Sequence, residues 1–348
     1  MTPIENKIQE LRAAGFECGP QIGIEAPLPN GGSFLSFTTG VTIYYHSSTG
    51  AHEVHGAILG AYIGQLGPLG KLGYPISDEY DDVVGNQISG KVSDFQFGSI
   101  FYNSTNGQTF SMQIGAVPTS DFEIIDGIDV SQFQGVVDWS EVTARTTVKF
   151  AYIRATDGTR TDSQFSTNWN DSSGHVLRGA YHFYRHSDSN QELQNQADHF
   201  FKISTVNGKL ADLPPVIDVE ELPPKTTSQT AISSLSSFLT HVESRCRTKP
   251  IIYTYPSFWV NRMGNSDAFA HTHHLWIANY GKSLVPGKTN SGFAARTTPP
   301  LVPGKWSEYS LWQNAVLPGL KGISTLVDRN TAIVPSGNSL QEFLLRQP

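Results

Sequence analysis

The chain has 348 residues, of which 38% are hydrophobic, and its formal net charge is −7. This length suits two domains, and no apolar run is long enough to span a membrane, so we expect no membrane insertion. Residues 1–118 carry 4 Lys and Arg against 10 Asp and Glu, which argues against nucleic acid as a partner. Cys18 and Cys246 are too few for a disulfide framework, and we expect both to be small buried residues.

The N-terminal third contains two similar segments. Phe37–Gly50 is echoed by Phe95–Gly107, and both are typical of an aromatic-rich hairpin with a polar turn closed by glycine. Each copy is predicted to begin with a short amphipathic helix, and Thr2-Pro-Ile-Glu5 is a capping box for the first of them. The predicted apolar faces are Ile4, Ile8 and Leu11 in the first helix and Leu59, Ile63 and Leu66 in the second.

Between helix and hairpin, the second copy carries Leu72-Gly-Tyr-Pro75 and Ser77-Asp-Glu79. With the Phe-x-x-Gly hairpin, these residues resemble the LGFP repeat, a module of secreted, cell-wall-associated proteins. The resemblance is clear over about 56–112. The copy at about 4–54 is degenerate, because Ile22-Gly-Ile-Glu-Ala-Pro27 stands where the signature should lie. The resemblance implies a cell-wall-binding module, and a structural spacer is the alternative.

That module is predicted to span residues 1–116, with a linker at 117–123 and a second domain at 124–348. In the second domain, apolar segments alternate with helical or polar stretches. Eight segments are predicted strands: Ile124–Val130, Val148–Ala155, Gly179–Tyr184, Pro215–Glu220, Pro250–Tyr255, Leu275–Tyr280, Tyr309–Asn314 and Ser324–Asp328. The alternation predicts an α/β fold in which the strands form a parallel (β/α) barrel.

Polar residues fall at the C-terminal ends of these strands, where such barrels carry their function. Asp218 and Glu220 lie two positions apart on one strand, so they point to the same side. Cleavage of a glycosidic bond needs such a pair: one carboxyl protonates the leaving oxygen, and the other stabilises the positive charge on the sugar. Two further acids are Asp129 and Asp328. The other candidates for substrate binding are Tyr181, His182, Tyr253, Trp276, Asn279, Tyr280, Trp312 and Gln313.

Seven blocks in residues 123–335 resemble the glycoside hydrolase family 25 lysozymes. They are Asp126-Gly-Ile-Asp-Val-Ser131, Phe150-Ala-Tyr-Ile-Arg-Ala-Thr156, Gly179-Ala-Tyr-His-Phe-Tyr184, Pro215-Val-Ile-Asp-Val-Glu220, Leu275-Trp-Ile-Ala-Asn-Tyr280, Leu311-Trp-Gln313 and Val327-Asp-Arg-Asn330. The resemblance implies a modified, flattened (β/α) barrel and hydrolysis of the β-1,4 bond between N-acetylmuramic acid and N-acetylglucosamine. It implies that Glu220 is the general acid, Asp218 the partner carboxylate, and Asp129 and Asp328 acids that bind substrate and tune the pair.

Several alternatives stay open. The acetamido oxygen of the substrate attacks the anomeric carbon with help from Asp218, or a carboxylate activates water directly. Asp328 could instead form a salt bridge with Arg329 or Arg154, and Asp129 could cap a turn. A chitinase-like glycosidase and a non-catalytic peptidoglycan-binding protein are the other functions to consider.

The expected partner is bacterial peptidoglycan, and the expected state is a monomer. His271-Thr-His-His274 matches no standard zinc spacing, so we expect no metal or other cofactor. An extracellular or cell-wall-associated location follows from the expected substrate. Because Met1–Asn6 lacks the pattern of a signal peptide, we expect that a leader was removed or that another export route is used.

Overall fold

The computed structural model describes residues 1–84, 87–113, 122–205, 211–280, 300–304, 306 and 308–346. The chain divides into two compact units, Met1–Ile114 and Gly115–Pro348. Most of the predicted linker lies outside the described residues, and the first strand of the second unit already begins at Phe122. None of the described helices is both long enough and apolar enough to cross a membrane.

The described part of the first unit contains two α-helices and two four-stranded antiparallel sheets, with strand orders β1-β2-β3-β4 and β5-β6-β7-β8. Its elements are α1 (Pro3–Ala13), β1 (Gln21–Pro27), β2 (Ser33–Phe37), β3 (Val41–His46), β4 (Gly50–His55), α2 (Gly56–Gly64), β5 (Tyr80–Val84), β6 (Gln87–Phe95), β7 (Gly98–Asn103) and β8 (Thr109–Gln113). Both predicted hairpins are present, as β3–β4 and β7–β8.

Helix α1 begins with the predicted capping box. The Thr2 hydroxyl accepts a hydrogen bond from the Glu5 amide at 3.2 Å, and the Glu5 carboxylate accepts one from the Thr2 amide at 2.7 Å. Ile4 and Leu11 are buried, which confirms the predicted apolar face.

The predicted face of α2 was partly wrong. Ile63 and Leu66 are 58% and 74% exposed, whereas Ile58, Leu59 and Tyr62 are buried. The helix ends at Gly64, so Leu66 lies beyond it. The buried face is the one that packs with both sheets at once, in a cluster that includes Tyr44 and Val54 of the first sheet and Phe95 and Ile100 of the second. The two copies therefore share a core.

The LGFP-like signature residues are used inside the first unit. Leu72 and Tyr74 belong to the shared core. The Asp78 carboxylate accepts hydrogen bonds from the Glu53 amide at 3.0 Å and from the Lys7 ammonium at 3.1 Å. These contacts tie the signature to α1 and β4.

The second unit is a closed sheet of eight strands surrounded by helices. Its elements are β9 (Phe122–Val130), α3 (Trp139–Arg145), β10 (Val148–Asp157), β11 (Arg160–Thr161), α4 (Phe165–Asp171), β12 (Leu177–Phe183), α5 (Asn190–Ser204), β13 (Val216–Asp218), α6 (Ser228–Cys246), β14 (Ile251–Thr254), α7 (Pro256–Arg262), β15 (Leu275–Ala278), β16 (Leu311–Pro318), β17 (Leu326–Pro335) and α8 (Leu340–Leu345). The barrel order is β9-β10-β12-β13-β14-β15-β16-β17, and β17 closes it by pairing with β9.

Seven of these strands pair in parallel, from β9 to β16. The last strand, β17, is antiparallel to both of its neighbours. The prediction of an all-parallel barrel was therefore wrong for β17. The short segment between Pro318 and Leu326 replaces the crossover helix that a parallel neighbour requires.

Alternate side chains along the strands face the barrel interior and the surrounding helices. The interior cluster includes Phe150, Tyr152 and Trp276. Gly127 and Gly179 make room for two of these rings, because a Cβ atom would lie 2.3 Å from the Phe150 ring and 2.0 Å from the Tyr152 ring. The outward cluster joins the strands to helices α3 to α7, and it contains Cys246. Both cysteines are buried and free, as predicted.

Candidate active site

The four predicted acids lie at one rim of the barrel. Asp129 is next to last in β9, Asp218 ends β13, and Glu220 follows two positions later. Asp328 is the third residue of β17, not the end of a strand as predicted. It reaches the same rim because β17 is antiparallel, and it pairs in register with Asp129. The sequence thus placed Asp328 correctly, although the strand direction behind the prediction was wrong.

Asp129 accepts two hydrogen bonds from side-chain amides across the barrel. Gln313 Nε2 and Asn330 Nδ2 donate to its Oδ2 atom at 2.9 and 2.8 Å. The Trp276 indole donates to Asn330 Oδ1 at 3.0 Å, and the Tyr253 hydroxyl donates to Gln313 Oε1 at 2.9 Å. The carboxylate of Asp129 is therefore held by a network of buried side chains, and its role is not confined to capping a turn.

The salt bridges considered for Asp328 go to other acids in the structure. Arg154 Nε donates to Asp162 Oδ2 at 2.8 Å, and Arg329 Nη2 donates to Asp126 Oδ1 at 3.2 Å. Asp328 accepts a hydrogen bond from the Tyr280 hydroxyl at 3.4 Å.

Burial is the largest cause of a raised pKa for all four carboxyls. The pKa of Glu220 rises to about 7, and the charges of Asp328 and Glu221 contribute to this. The pKa of Asp328 rises to about 6 by burial, against the opposite effect of the Tyr280 hydrogen bond. Because the four carboxyls share one partly dry site, ionisation of one disfavours ionisation of the others.

Asp129 and Asp218 also have pKa values well above the usual range. For Asp129, the amides of Asn330 and Gln313 oppose burial and favour the ionised form. For Asp218, the positive charge of Arg154 acts in the same direction. The Oδ1 atom of Asp218 is buried and has no hydrogen-bond partner among the described residues.

The structure brings some of the other predicted residues to the acids. Tyr181, Tyr253 and Trp276 belong to the interior cluster, and Tyr280 and Gln313 join the hydrogen-bond network. Burial and the charge of Asp129 raise the pKa of Tyr181. These residues line the rim from inside the barrel.

Three predicted residues are not brought to the acids. His182 faces outward, where its ring stacks on Phe238 with centroids 5.0 Å apart, and burial lowers its pKa to about 3. Trp312 also belongs to the outward cluster, and its indole donates to the Asn279 carbonyl at 2.8 Å. The Asn279 side chain accepts a hydrogen bond from the Leu301 amide at 3.2 Å. His182 and Trp312 therefore have the contacts of packing residues, whereas the Asn279 side chain holds the backbone at Leu301.

Sequence reasoning missed Asn330 and Arg154 as site residues. Both lie inside the motif blocks, two positions from a residue that faces the interior, Asp328 and Tyr152 respectively. The strand alternation that linked Asp218 to Glu220 would have identified both. Among the described residues, no group of three or more His, Cys, Asp or Glu side chains is placed to hold a metal ion.

The sequence model of glycosyl hydrolases family 25 matches residues 128–321, which is more than half of the chain. The chain belongs to this family. The LGFP repeat matches residues 20–70, from the edge of β1 to the turn after α2, so the matched segment takes in parts of both predicted copies.

Two relatives of this family 25 glycosyl hydrolase are named for an enzyme activity. Lysozyme M1 of Streptomyces globisporus is 32% identical over 227 residues, which cover 62% of this chain and 69% of that protein. The N,O-diacetylmuramidase of Chalaropsis sp. is 28% identical over 204 residues, or 55% of this chain and 88% of that protein. The crystal structure of a lysozyme from Streptomyces coelicolor superposes with a TM-score of 0.50 at 29% identity, covering 66% of this chain and 98% of that one.

Proposed function

We propose that this family 25 hydrolase is an N-acetylmuramidase that cleaves the β-1,4 bond between N-acetylmuramic acid and N-acetylglucosamine in bacterial peptidoglycan. The observation that carries the proposal is the rim of four carboxyls with a proton donor among them. Glu220 is partly exposed, and its pKa is raised to about 7. A carboxyl that is still protonated near neutral pH and open to substrate is suited to general acid catalysis.

In this proposal, Glu220 donates its proton to the glycosidic oxygen as the bond to the anomeric carbon breaks. Asp218 assists on the other side of that carbon. Oδ1 of Asp218 is enclosed by protein, so the other oxygen of this carboxyl would accept a hydrogen bond from the acetamido N–H. In that role, Asp218 orients the acetamido group so that its oxygen attacks the anomeric carbon. The Glu220 carboxylate then takes a proton from the water that opens the intermediate.

Asp129 and Asp328 would bind substrate and tune the pair through their charges. Asp328 raises the pKa of Glu220, and both Asp328 and Glu220 raise that of Asp129. The partly exposed rings of Tyr181, Tyr253 and Tyr280 offer surfaces for the apolar face of a sugar. We include these three tyrosines, with Trp276 and Gln313, as the remaining substrate-site residues.

We further propose that residues 1–116 attach the enzyme to the cell wall, and that the protein is an extracellular or wall-associated monomer. The LGFP match supports the first point, and the placement of all four acids in the second unit supports a separate role for the first. A flattened shape of the barrel belongs to the same proposal, by analogy with the family.

Release of reducing sugars from purified peptidoglycan and from chitin tests the function, with wild-type protein and Glu220→Gln side by side. We expect release from peptidoglycan by the wild type, little from chitin, and none from either by the variant. Release from chitin alone would indicate the chitinase-like alternative. Binding to peptidoglycan without any release would indicate a non-catalytic wall-binding protein.

A further inference from the structure

Arg154 is a buried cation whose hydrogen bonding is incomplete. The residue is 9% exposed, and it follows the interior residues Phe150 and Tyr152 in the alternation of β10. Its Nε atom donates to Asp162 at 2.8 Å. Within the described part of the chain, its two terminal nitrogens have no acceptor.

The position of this guanidinium is fixed by its surroundings. The buried carboxylate of Asp162 also accepts hydrogen bonds from the Gln132 amide at 3.0 Å and the Gln164 amide at 2.9 Å. Asp162 therefore holds Arg154 and the loop after β9 together. Phe133 on that loop is 70% exposed, and the guanidinium carbon of Arg154 lies 5.0 Å from the centre of its ring. The ring covers one face of the guanidinium and leaves the edge with the two terminal nitrogens uncovered.

Arg154 lies beside the catalytic rim, because it pairs in register with Tyr181 of β12. The charge of Arg154 acts on Asp218, Glu220 and Tyr181, lowering the pKa of each. The terminal nitrogens are not enclosed by protein, so a ligand that supplies oxygen atoms can reach them. A guanidinium with two free terminal nitrogens matches a carboxylate in shape and charge.

We propose that the terminal nitrogens of Arg154, beside the ring of Phe133, bind the free carboxylate of the O-lactyl group on muramic acid residues that carry no stem peptide. The inference rests on the proposed function. The lactyl ether is the group that muramic acid carries and the glucosamine units of chitin lack, so Arg154 becomes a determinant of substrate choice.

The test compares three soluble glycans of equal length. The first is peptide-free and carries free lactyl carboxylates, the second is the same glycan with those carboxyls reduced to alcohols, and the third retains the stem peptides. The proteins are the full-length wild type, Arg154→Gln, Arg154→Lys and Phe133→Ala. Arg160→Gln is the control, because Arg160 is an exposed arginine of the same region that bonds Asp157.

We expect carboxyl reduction to lower the wild-type kcat/KM about 10- to 100-fold, as for loss of a hydrogen bond to a charged group. Arg154→Gln should lose a similar factor on the carboxylate glycan, mainly through KM, and should no longer distinguish it from the reduced glycan. Arg154→Lys should keep part of the discrimination. Phe133→Ala should weaken it, and Arg160→Gln should leave it unchanged.

Equal losses by Arg154→Gln on the carboxylate and the reduced glycan would overturn the inference, since Arg154 would then act only through the acids. A loss confined to the peptide-bearing glycan would also overturn it, by assigning Arg154 to a stem-peptide carboxylate. Where Arg154→Gln fails to fold, the inference would be overturned if Phe133→Ala and Arg154→Lys both distinguish the carboxylate glycan from the reduced glycan as well as the wild type does. Failure of the wild type on every glycan would instead contradict the proposed function.

Discussion

Replacing Glu220 by Gln should raise stability at alkaline pH while it abolishes turnover. The pKa of Glu220 is raised from an ordinary 4.5 to about 7 in the folded protein. Because the folded state holds this proton more tightly than the unfolded state, the stabilisation is complete below the unfolded pKa and is lost as pH rises through about 7. This rise in the pKa corresponds to about 3 kcal/mol, as an upper value because the neighbouring carboxyls share the charge.

Gln keeps the shape of the side chain and cannot ionise, so it avoids this loss. At pH 8.5 we expect Glu220→Gln to unfold up to about 6–12 °C above the wild type, and at pH 4.5 the two should nearly coincide. Turnover should fall by about 10²- to 10⁴-fold at mildly acidic pH, where Glu220 of the wild type is protonated. Calorimetry from pH 4.5 to 8.5 measures the unfolding temperature of the second unit in each variant. Assays on soluble glycan over the same pH range measure turnover.

Glu221→Gln is the matched control for this experiment. Glu221 is the next residue, its side chain is 62% exposed, and it bonds Arg185. Its replacement should change stability by less than about 1 kcal/mol, as for other surface ion pairs. A stability difference between Glu220→Gln and wild type that does not depend on pH would refute the reasoning, and so would a Glu220→Gln variant that is less stable at pH 8.5.

Four further outcomes are expected. Asp218→Asn should cause a partial loss of kcat if Asp218 orients the acetamido group, and a loss equal to that of Glu220→Gln in single-turnover assays would favour a direct role for its charge. The profile of kcat/KM against pH should peak at mildly acidic pH and fall above about 7 as Glu220 ionises; a rise through pH 8 would contradict a carboxylic acid as donor. His182→Phe should keep kcat/KM within a few-fold of wild type, because His182 packs against Phe238 away from the rim, and a large rise in KM would return it to the substrate site. A fragment of residues 115–348 should cleave soluble glycan at a rate near that of the full chain and sediment less with insoluble walls; equal sedimentation would reduce the first unit to a spacer.

The sequence was sufficient for the order of the barrel strands and for the four acids, because strand alternation and motif position are local properties. The direction of β17 is not a local property. Asp328 lies at the same rim if it ends a parallel strand or if it begins an antiparallel strand. Only the pairing of β17 with β9 and β16 shows that the strand is antiparallel.

The sequence-based prediction also assigned two side chains to the wrong face of their strands. His182 and Trp312 each neighbour a residue that faces the interior, Tyr181 and Gln313. Residue type argued for a role at the site, whereas alternation placed both against the helices. Applied strictly, the same alternation would have removed these two and added Arg154 and Asn330. In the first unit, burial of α2 between two sheets could not be read from one helix, because its partners come from both copies.

The most direct test of the account is the identity of the sugar at the newly formed reducing ends. Purified peptidoglycan is digested with the wild-type protein, the products are reduced with borohydride, and the terminal sugar alcohols are identified by mass spectrometry. A muramidase predicts that the new ends are N-acetylmuramic acid, recovered as its alcohol, and that Glu220→Gln produces none. New ends that are only N-acetylglucosamine, or equal release of ends by Glu220→Gln, would contradict the account.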